Sequence, residues 1–186
     1  MSWRIADIGG DPEVIRNLSG RYFYRLARIT WSRPTVWRPE NARPPIPQEW
    51  AEHGGIYCLL RDHHAQKARR RIAYVGKAIS FRKRLTRKHH MFEHLVNRQG
   101  DTLVSLGRIH FERIQPSPGY YEEIEQIVAW TVWHHLENGA GLETVPGFRG
   151  QTGRPFAPWV IINEGYRFNG QMPRRLVYPA IGFSDG

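Results

Sequence analysis

The stretch that decides the fold spans residues 55–90 and reads GIYCLLRDHHAQKARRRIAYVGKAISFRKRLTRKHH. Apolar residues alternate around Gly55-Ile56-Tyr57 and again around Tyr74-Val75-Gly76, which predicts two strands joined by a polar, basic hairpin loop. Residues two apart lie on one face of a strand, so both tyrosines can point to the same side of the hairpin. Ser80 is a predicted N-cap, and a basic helix is predicted from there to about Arg98.

Positive charge is concentrated in residues 61–100. This segment holds twelve lysines and arginines against two carboxylates, an excess that equals the net charge of +10 of the whole chain. An excess this local predicts a polyanionic partner, most commonly nucleic acid, although a solvated basic helix without a partner is the alternative. The residues predicted to contact DNA are Arg69, Arg70, Arg71, Lys83, Arg87 and Lys88.

Size and composition indicate a globular protein of one compact domain, because 186 residues with 40% apolar side chains suffice for a sizeable core. The single cysteine, Cys58, excludes an internal disulfide framework and favours a reducing cytoplasm. The first ten residues lack the pattern of a secretory signal, and no apolar run approaches the ~20 residues that span a bilayer. We therefore expect a cytoplasmic protein without a membrane anchor.

The same stretch resembles the catalytic core of the GIY-YIG nuclease family. Gly55-Ile56-Tyr57 matches the first family motif letter for letter, and Tyr74-Val75-Gly76 matches the second with valine in place of isoleucine. Arg84 follows the tyrosine of the second motif by ten residues, where the family arginine is expected. A downstream helix with Glu125 completes the resemblance, which covers about residues 55–140.

The resemblance implies an α+β (α/β) fold, a small and mostly antiparallel three-stranded sheet flanked by helices with N- and C-terminal elaborations. The corresponding division is an N-terminal arm at 1–54, a nuclease core at 55–140 and a C-terminal extension at 141–186. Apolar runs at 22–29 and 160–162 are compatible with extra strands in these flanks.

A proline-rich segment at 34–47 contains five prolines, which forbid a regular helix or a central strand. Tryptophans and arginines alternate with these prolines. Two interpretations remain open. In one the tryptophans pack on the core, and in the other the segment is an arm that touches DNA through its arginines.

A third strand is predicted at 103–114 and a second helix from Tyr120 to Asn138. The apolar stripe of this helix includes Glu125, while Glu122 lies at its edge and Glu123 faces outward. A carboxylate in a buried stripe is costly unless a cation compensates its charge. The cation is either a divalent metal or a basic side chain, and Glu122 is the second choice as its ligand.

The resemblance also implies the roles in the site. Tyr57 would take a proton from water or orient that water, Tyr74 would hydrogen-bond the phosphate or the water, and Arg84 would bind the scissile phosphate. Glu125 would hold one Mg²⁺, for which Mn²⁺ can substitute. A cation is needed to make the phenol of Tyr57 more acidic, and Lys77, Arg84 or His89 can serve. The predicted catalytic residues are Tyr57, Tyr74, Lys77, Arg84, His89, Glu125 and Asn138, and the predicted metal ligand is Glu125.

Two assignments stay open within this set. Relatives often carry a histidine four residues after the arginine, a position that Lys88 holds here, so His89 is the better candidate and His90 the weaker. A core or surface histidine without a chemical role is the alternative. The asparagine that braces the family site is either Asn138 or Asn163.

The resulting hypothesis is a Mg²⁺-dependent endonuclease acting on double-stranded DNA. No separate DNA-binding domain is recognisable beside the core, which is most like the type II restriction endonucleases of the family. A homodimer is expected because two-fold targets are cut by paired protomers. The alternatives are a repair-like or structure-selective nuclease and a non-catalytic nucleic-acid-binding module.

Overall fold

The computed structural model of the protein describes residues 11–62, 70–97, 100–132 and 157–179. The strands are β1 (Arg25–Trp31), β2 (Thr35–Trp37), β3 (Gly55–Asp62), β4 (Arg71–Ala78), β5 (Asp101–Glu112), β6 (Trp159–Gly165) and β7 (Arg175–Tyr178). The helices are α1 (Gln48–Ala51), α2 (Phe81–Arg84) and α3 (Pro118–Thr131), with a π-helical turn at Phe92–Val96 and a 3-10 turn at Phe168–Gly170.

The seven strands found in these ranges form one curled, mixed sheet in the order β4-β3-β5-β1-β6-β7, and β2 also pairs with β5. β3 is antiparallel to both β4 and β5, whereas β1 is parallel to β6. β5 is the longest strand and pairs with β3 on one side and with β1 and β2 in succession on the other. The motif hairpin of β3 and β4 therefore lies at one end of the sheet.

The predicted fold, an α+β (α/β) fold built on a small three-stranded sheet flanked by helices, is wrong. Its three strands are contiguous in the order β4-β3-β5, but four more strands extend them into a strand-rich mixed sheet with few helices. The physical reason lies at the outer edge of β5, where a three-stranded sheet would leave unpaired backbone groups beside apolar side chains. β1 and β2 pair with that edge, and β1 adds the buried Ala27, Ile29 and Trp31 to the core.

The continuous helix predicted from Ser80 to Arg98 is also wrong. Ser80 is the N-cap, since its Oγ accepts a hydrogen bond from the backbone N–H of Lys83 at 3.4 Å, but α2 has only four residues. Leu85 then leaves the helical conformation, and regular structure resumes only in the π-helical turn. The run Arg82–Lys88 favours the break, because its like charges three and four residues apart repel one another on a helix and no carboxylate within the run offsets them, although Arg82 lies 3.6 Å from Glu52.

Other predicted elements are present with shifted bounds. The strand expected at 103–114 is β5, and the runs at 22–29 and 160–162 belong to β1 and β6. α3 begins at Pro118, a residue favoured in the first turn of a helix, and the chain is described to residue 132. Within the described ranges, no helix has the length and apolar character needed to cross a membrane.

Two apolar clusters occupy the two faces of the motif hairpin. Ile56 and Cys58 belong to the cluster under α3, whereas Tyr57 and Leu59 belong to the cluster with α2 and the π-helical turn. This alternation follows the period of two of a strand. It directs Tyr57 toward the segment that follows β4, where the candidate site lies.

Candidate active site

The two motif tyrosines lie side by side on the β3–β4 hairpin. Tyr57 is opposite Gly76 in the register and Tyr74 is opposite Leu59, so the two rings share a face with centroids 6.0 Å apart. A Cβ atom on Gly76 would lie 2.5 Å from both Cζ and Oη of Tyr57 and 2.7 Å from Cε1 of Tyr74. Only glycine at this position leaves room for the phenol of Tyr57 to lie over β4.

Arg84 and His89 meet at the phenolic oxygen of Tyr57. The Nε of Arg84 lies 3.3 Å from this oxygen, and the Nε2 of His89 lies 2.6 Å from it. Arg84 comes from the last position of α2 and His89 from the turns that follow. The early end of α2 therefore brings together two side chains that a straight helix would set on separate sides of its apolar stripe.

The tautomer of His89 follows from its second ring nitrogen. The backbone N–H of Met91 donates to Nδ1 of His89 at 3.0 Å, so this nitrogen carries no proton. Burial, together with His90 and Arg84, lowers the pKa of His89 to about 3, and the imidazole is neutral. The remaining proton is on Nε2, and His89 donates it to Tyr57.

The oxygen of Tyr57 thus accepts two hydrogen bonds, one from His89 and one from Arg84. Burial nevertheless raises the pKa of this tyrosine well above its usual value, Tyr74 and Glu125 raise it further, and Arg84 opposes them. Tyr57 is fully buried and is hydrogen-bonded to Tyr74, whose own pKa is raised by burial first and by Glu125 second. Both phenols are protonated at neutral pH.

His90 is exposed and lies against the rings of His89 and Tyr74. It stacks on His89 with centroids 4.6 Å apart and meets Tyr74 edge-on at 5.3 Å. Burial lowers the pKa of His90, with smaller contributions from Arg84 and His94. Of the two candidate histidines, His89 is the one that contacts Tyr57.

Glu125 reaches the outer edge of β4 from α3. The backbone N–H of Lys77 donates to this carboxylate, and the Lys77 Nζ lies 3.7 Å from its Oε2 and 3.2 Å from Oε2 of Glu122. Burial raises the pKa of Glu125, while Lys77 lowers it and Glu122 raises it. Lys77 is therefore paired with two carboxylates, and Arg84 is the predicted cation that bonds Tyr57.

The neighbouring Glu123 does not face outward as expected. It accepts a hydrogen bond from Nε1 of Trp159 at 2.6 Å and lies 3.6 Å from Arg25. The expectation was wrong because it lacked β1 and β6, which cover that side of α3.

The chemistry of the donors fits one Mg²⁺ shared with a substrate. Among the described residues, no three His, Cys, Asp or Glu side chains converge on a common point. Mg²⁺ is usually held through one or two carboxylates and substrate phosphates, with water completing its shell. Glu125, a carboxylate with 20% of its side chain exposed that shares the ammonium group of Lys77 with Glu122, fits that pattern.

The two candidate asparagines do not join this group. Asn163 is buried on β6, where it accepts from Nε1 of Trp31 at 2.9 Å and donates to the carbonyl of Pro173 at 2.8 Å. β5 and β1 separate its strand from β3. Asn138 lies outside the described residues.

The predicted DNA-binding residues differ in their partners and exposure. Arg69 lies outside the described residues, and Arg70 is 3.7 Å from Asp62. Arg87 donates to the carbonyl oxygens of Pro39, at 3.1 Å, and Glu40. Arg71, Lys83 and Lys88 are exposed.

No protein-family model, curated protein or solved structure matches the chain.

Two features of the site were missed by sequence reasoning, namely the steric need for Gly76 and the backbone N–H of Met91 that fixes His89. The glycine had a signal, since it is the last residue of the second motif. The backbone contact had none, because it depends on a turn that the predicted helix left out.

Proposed function

We propose that the protein is a Mg²⁺-dependent endonuclease that hydrolyses phosphodiester bonds in double-stranded DNA. The observation that carries the proposal is the convergence of Arg84 and His89 on the oxygen of Tyr57, beside Tyr74. A module that only binds DNA needs exposed lysines and arginines and has no use for two donors aimed at a buried phenol. The resemblance of the motifs to GIY-YIG nucleases agrees with this chemistry.

Hydrolysis of a phosphodiester requires an attacking water, neutralisation of the phosphate charge and support for the departing 3′ oxygen. Arg84 is the cation that we assign to the scissile phosphate, because it is exposed at the mouth of the site while its Nε holds Tyr57. Tyr57 and Tyr74 position the attacking water. The N–H of His89, whose ring is held on its far side by Met91, stabilises negative charge that develops on the oxygen of Tyr57.

The proton of the water needs a route, because Tyr57 is itself protonated at neutral pH. Tyr57 can accept this proton only if its own proton passes to Tyr74 and Tyr74, which is also protonated, releases one proton to solvent. Since Tyr57 is fully buried, its oxygen also has to be uncovered before water can reach it. A phosphate that draws Arg84 outward accomplishes this step.

Glu125 is the residue that we assign to Mg²⁺, which when bound neutralises charge at the phosphate and at the departing oxygen. Lys77 now lies against this carboxylate, so it must yield part of that contact to the ion. Lys77 retains Glu122 at 3.2 Å, which keeps its ammonium group beside the site.

The finer parts of the proposal are a type II restriction endonuclease that acts as a homodimer in the cytoplasm. The type II assignment rests on the resemblance, the homodimer on the need to cut both strands of a two-fold target, and the cytoplasm on the single cysteine. The test is incubation of a mixed-sequence plasmid library with Mg²⁺, with Mn²⁺ and with a chelator, followed by mapping of the cut ends. Cuts at one repeated sequence support this assignment. Cuts only at branched or damaged DNA indicate a repair-like nuclease, and binding without cutting overturns the proposal.

Adjacent basic residues give a matched pair for the same assay. Arg84→Ala should eliminate cleavage at any salt concentration, because it removes charge from the transition state. Lys83→Ala should weaken binding and lower the slope of log affinity against log salt by about one, with activity retained at saturating enzyme. Rescue of Arg84→Ala by low salt would make Arg84 an electrostatic anchor without a catalytic role.

A further inference from the structure

Three Arg-Pro pairs recur at intervals of five residues before the motif hairpin. They are Arg33-Pro34, Arg38-Pro39 and Arg43-Pro44, and we call residues 33–44 the Arg-Pro segment. Proline fixes its own φ and restricts the preceding residue to extended conformations. Each arginine therefore has a backbone with little conformational freedom to lose when it binds a ligand.

The Arg-Pro segment is fastened to the turns that carry the candidate site. Trp37 is buried and meets Phe92 with ring centroids 5.4 Å apart. The backbone N–H of Arg87 donates to the carbonyl of Ala42 at 3.2 Å, and its guanidinium donates to the carbonyls of Pro39 and Glu40. Arg87 thus holds the segment through three carbonyl oxygens.

The same residue connects the segment to the chemistry. Arg87 is three residues after Arg84 and two before His89, so the Arg-Pro segment forms a border of the candidate site. A buried position for the segment would suit a purely structural role. Arg38, Arg43 and most of the residues between them are instead exposed.

In the described residues, carboxylates do not pair with the positively charged arginines of the segment. In the part of the chain that the structure describes, Arg33, Arg38 and Arg43 make no salt bridge within 4.0 Å. The only carboxylate within the segment is Glu40. A rigid element that carries unpaired cations beside a phosphate-binding site is complementary to a duplex backbone.

We propose that the Arg-Pro segment is a second DNA-contacting element, which binds backbone phosphates beside the scissile bond, and that Arg87 positions it. The inference rests on the proposed function and adds an element outside the motif core. Arg38 and Arg43 make the phosphate contacts. Arg87 acts through the segment, because its guanidinium is already committed to carbonyl oxygens.

The first experiment measures duplex affinity across salt concentrations for the double variant Arg38→Gln/Arg43→Gln. Two lost phosphate contacts should lower the slope of log affinity against log salt by about 1.8 and weaken all sequences alike. The control is Arg174→Gln, an exposed arginine near β7 at the opposite edge of the sheet, which should match the parent. Cleavage by the double variant should persist at saturating enzyme.

The second experiment compares Arg87→Met with Lys88→Met, which each remove one charge from neighbouring positions. Lys88→Met should lower the slope of log affinity against log salt by about one, the value for one lost phosphate contact. Arg87→Met should lower it by as much as the double variant, and amide exchange at Arg87 should accelerate because the segment is released. Equal effects of the two substitutions would remove the positioning role from Arg87.

The outcomes separate the inference from the proposed function. If the parent cuts DNA, Arg84→Ala is inactive and the double variant keeps the parental salt slope, the segment only packs and the inference fails. If the parent neither binds nor cuts duplex DNA, the proposed function fails first, and the inference fails with it.

Discussion

The imidazole of His89 donates its Nε2 proton to the phenolic oxygen of Tyr57 across 2.6 Å. The direction of this bond is fixed by a contact on the far side of the ring, where the backbone of Met91 occupies Nδ1. A neutral donor cannot accept the proton of Tyr57. In the mechanism that we propose, His89 therefore supports negative charge on the phenol and does not act as its base.

Substitution of His89 should distinguish a donor from a base. Glutamine keeps an N–H at the end of the side chain, whereas leucine does not. We expect His89→Gln to cleave within about tenfold of the parent and His89→Leu to lose about 100-fold, the scale of one lost donor to developing charge. Single-turnover cleavage measures both. Equal and severe losses would favour a base.

The buried, neutral state of His89 should make folding sensitive to acid. Its pKa is about 3 in the folded protein, against about 6.5 in an unfolded chain. Below about pH 6.5 the unfolded state binds one more proton, so the stability present above that pH is lost as pH falls toward 3. Between about pH 7.5 and 5 the parent should lose about 2 kcal/mol more unfolding free energy than His89→Gln, in urea titrations. An identical loss in both proteins would contradict the buried neutral imidazole.

Tyr57→Phe should affect both cleavage and folding. Loss of the hydroxyl removes the group to which we assign proton transfer and should reduce cleavage at least about 100-fold. It also leaves the N–H of buried His89 without its acceptor, which should cost about 1–3 kcal/mol of unfolding free energy. Denaturant titration and single-turnover assays test the two parts, and an unchanged stability would mean that another acceptor reaches His89.

Glu125→Gln should abolish Mg²⁺-dependent cleavage while duplex binding persists. Burial raises the pKa of Glu125 above that of an unfolded chain. The unfolding free energy therefore falls as pH rises through this pKa and the carboxyl group ionises. The variant removes this cost, and its Tm at neutral pH should be no lower than that of the parent. Glu122→Gln is the matched control, because Glu122 also contacts Lys77. This variant should remain active. The reverse result would transfer the metal to Glu122.

Gly76→Ala should disturb the site without changing its chemistry. The added methyl group would overlap Tyr57 and Tyr74, and both rings are confined by neighbouring side chains. Overpacking of this kind should cost about 1–3 kcal/mol of unfolding free energy and displace the phenol of Tyr57 from its donors. Thermal unfolding and cleavage assays should both show a loss, and Gly119→Ala, where a methyl group meets nothing within 4 Å, is the control.

Local patterns predicted the parts of this protein that local forces determine. The alternation around Tyr57 and Tyr74 gave both motif strands, and the cap at Ser80 gave the start of α2. The length of α2 was missed, because the apolar stripe continues to Val96 and a pattern of apolar positions does not record the repulsion within the Arg82–Lys88 run. The contact between His89 and Tyr57 depends on that break, so a helical wheel drawn for a continuous helix could not predict it.

The size of the sheet was missed for a different reason. β1 pairs with β5 and β6, which lie far along the chain, and no pattern within residues 25–31 predicts these partners. Apolar alternation indicates a strand but not which strand lies beside it. The motif resemblance covered only residues 55–140, so the predicted sheet left out β1, β2, β6 and β7, which lie outside that range.

The central place of β1 also orders events during synthesis. Its register runs from Arg25 opposite Trp159 to Trp31 opposite Gly165, so one of its two edges has no partner until the ribosome has released β6. At typical translation rates this interval is on the order of ten seconds. The hairpin of β3 and β4, by contrast, can close as soon as it emerges. The two motif tyrosines can therefore come together well before β1 gains its partner β6, and until then one edge of β1 is open to pairing with other strands.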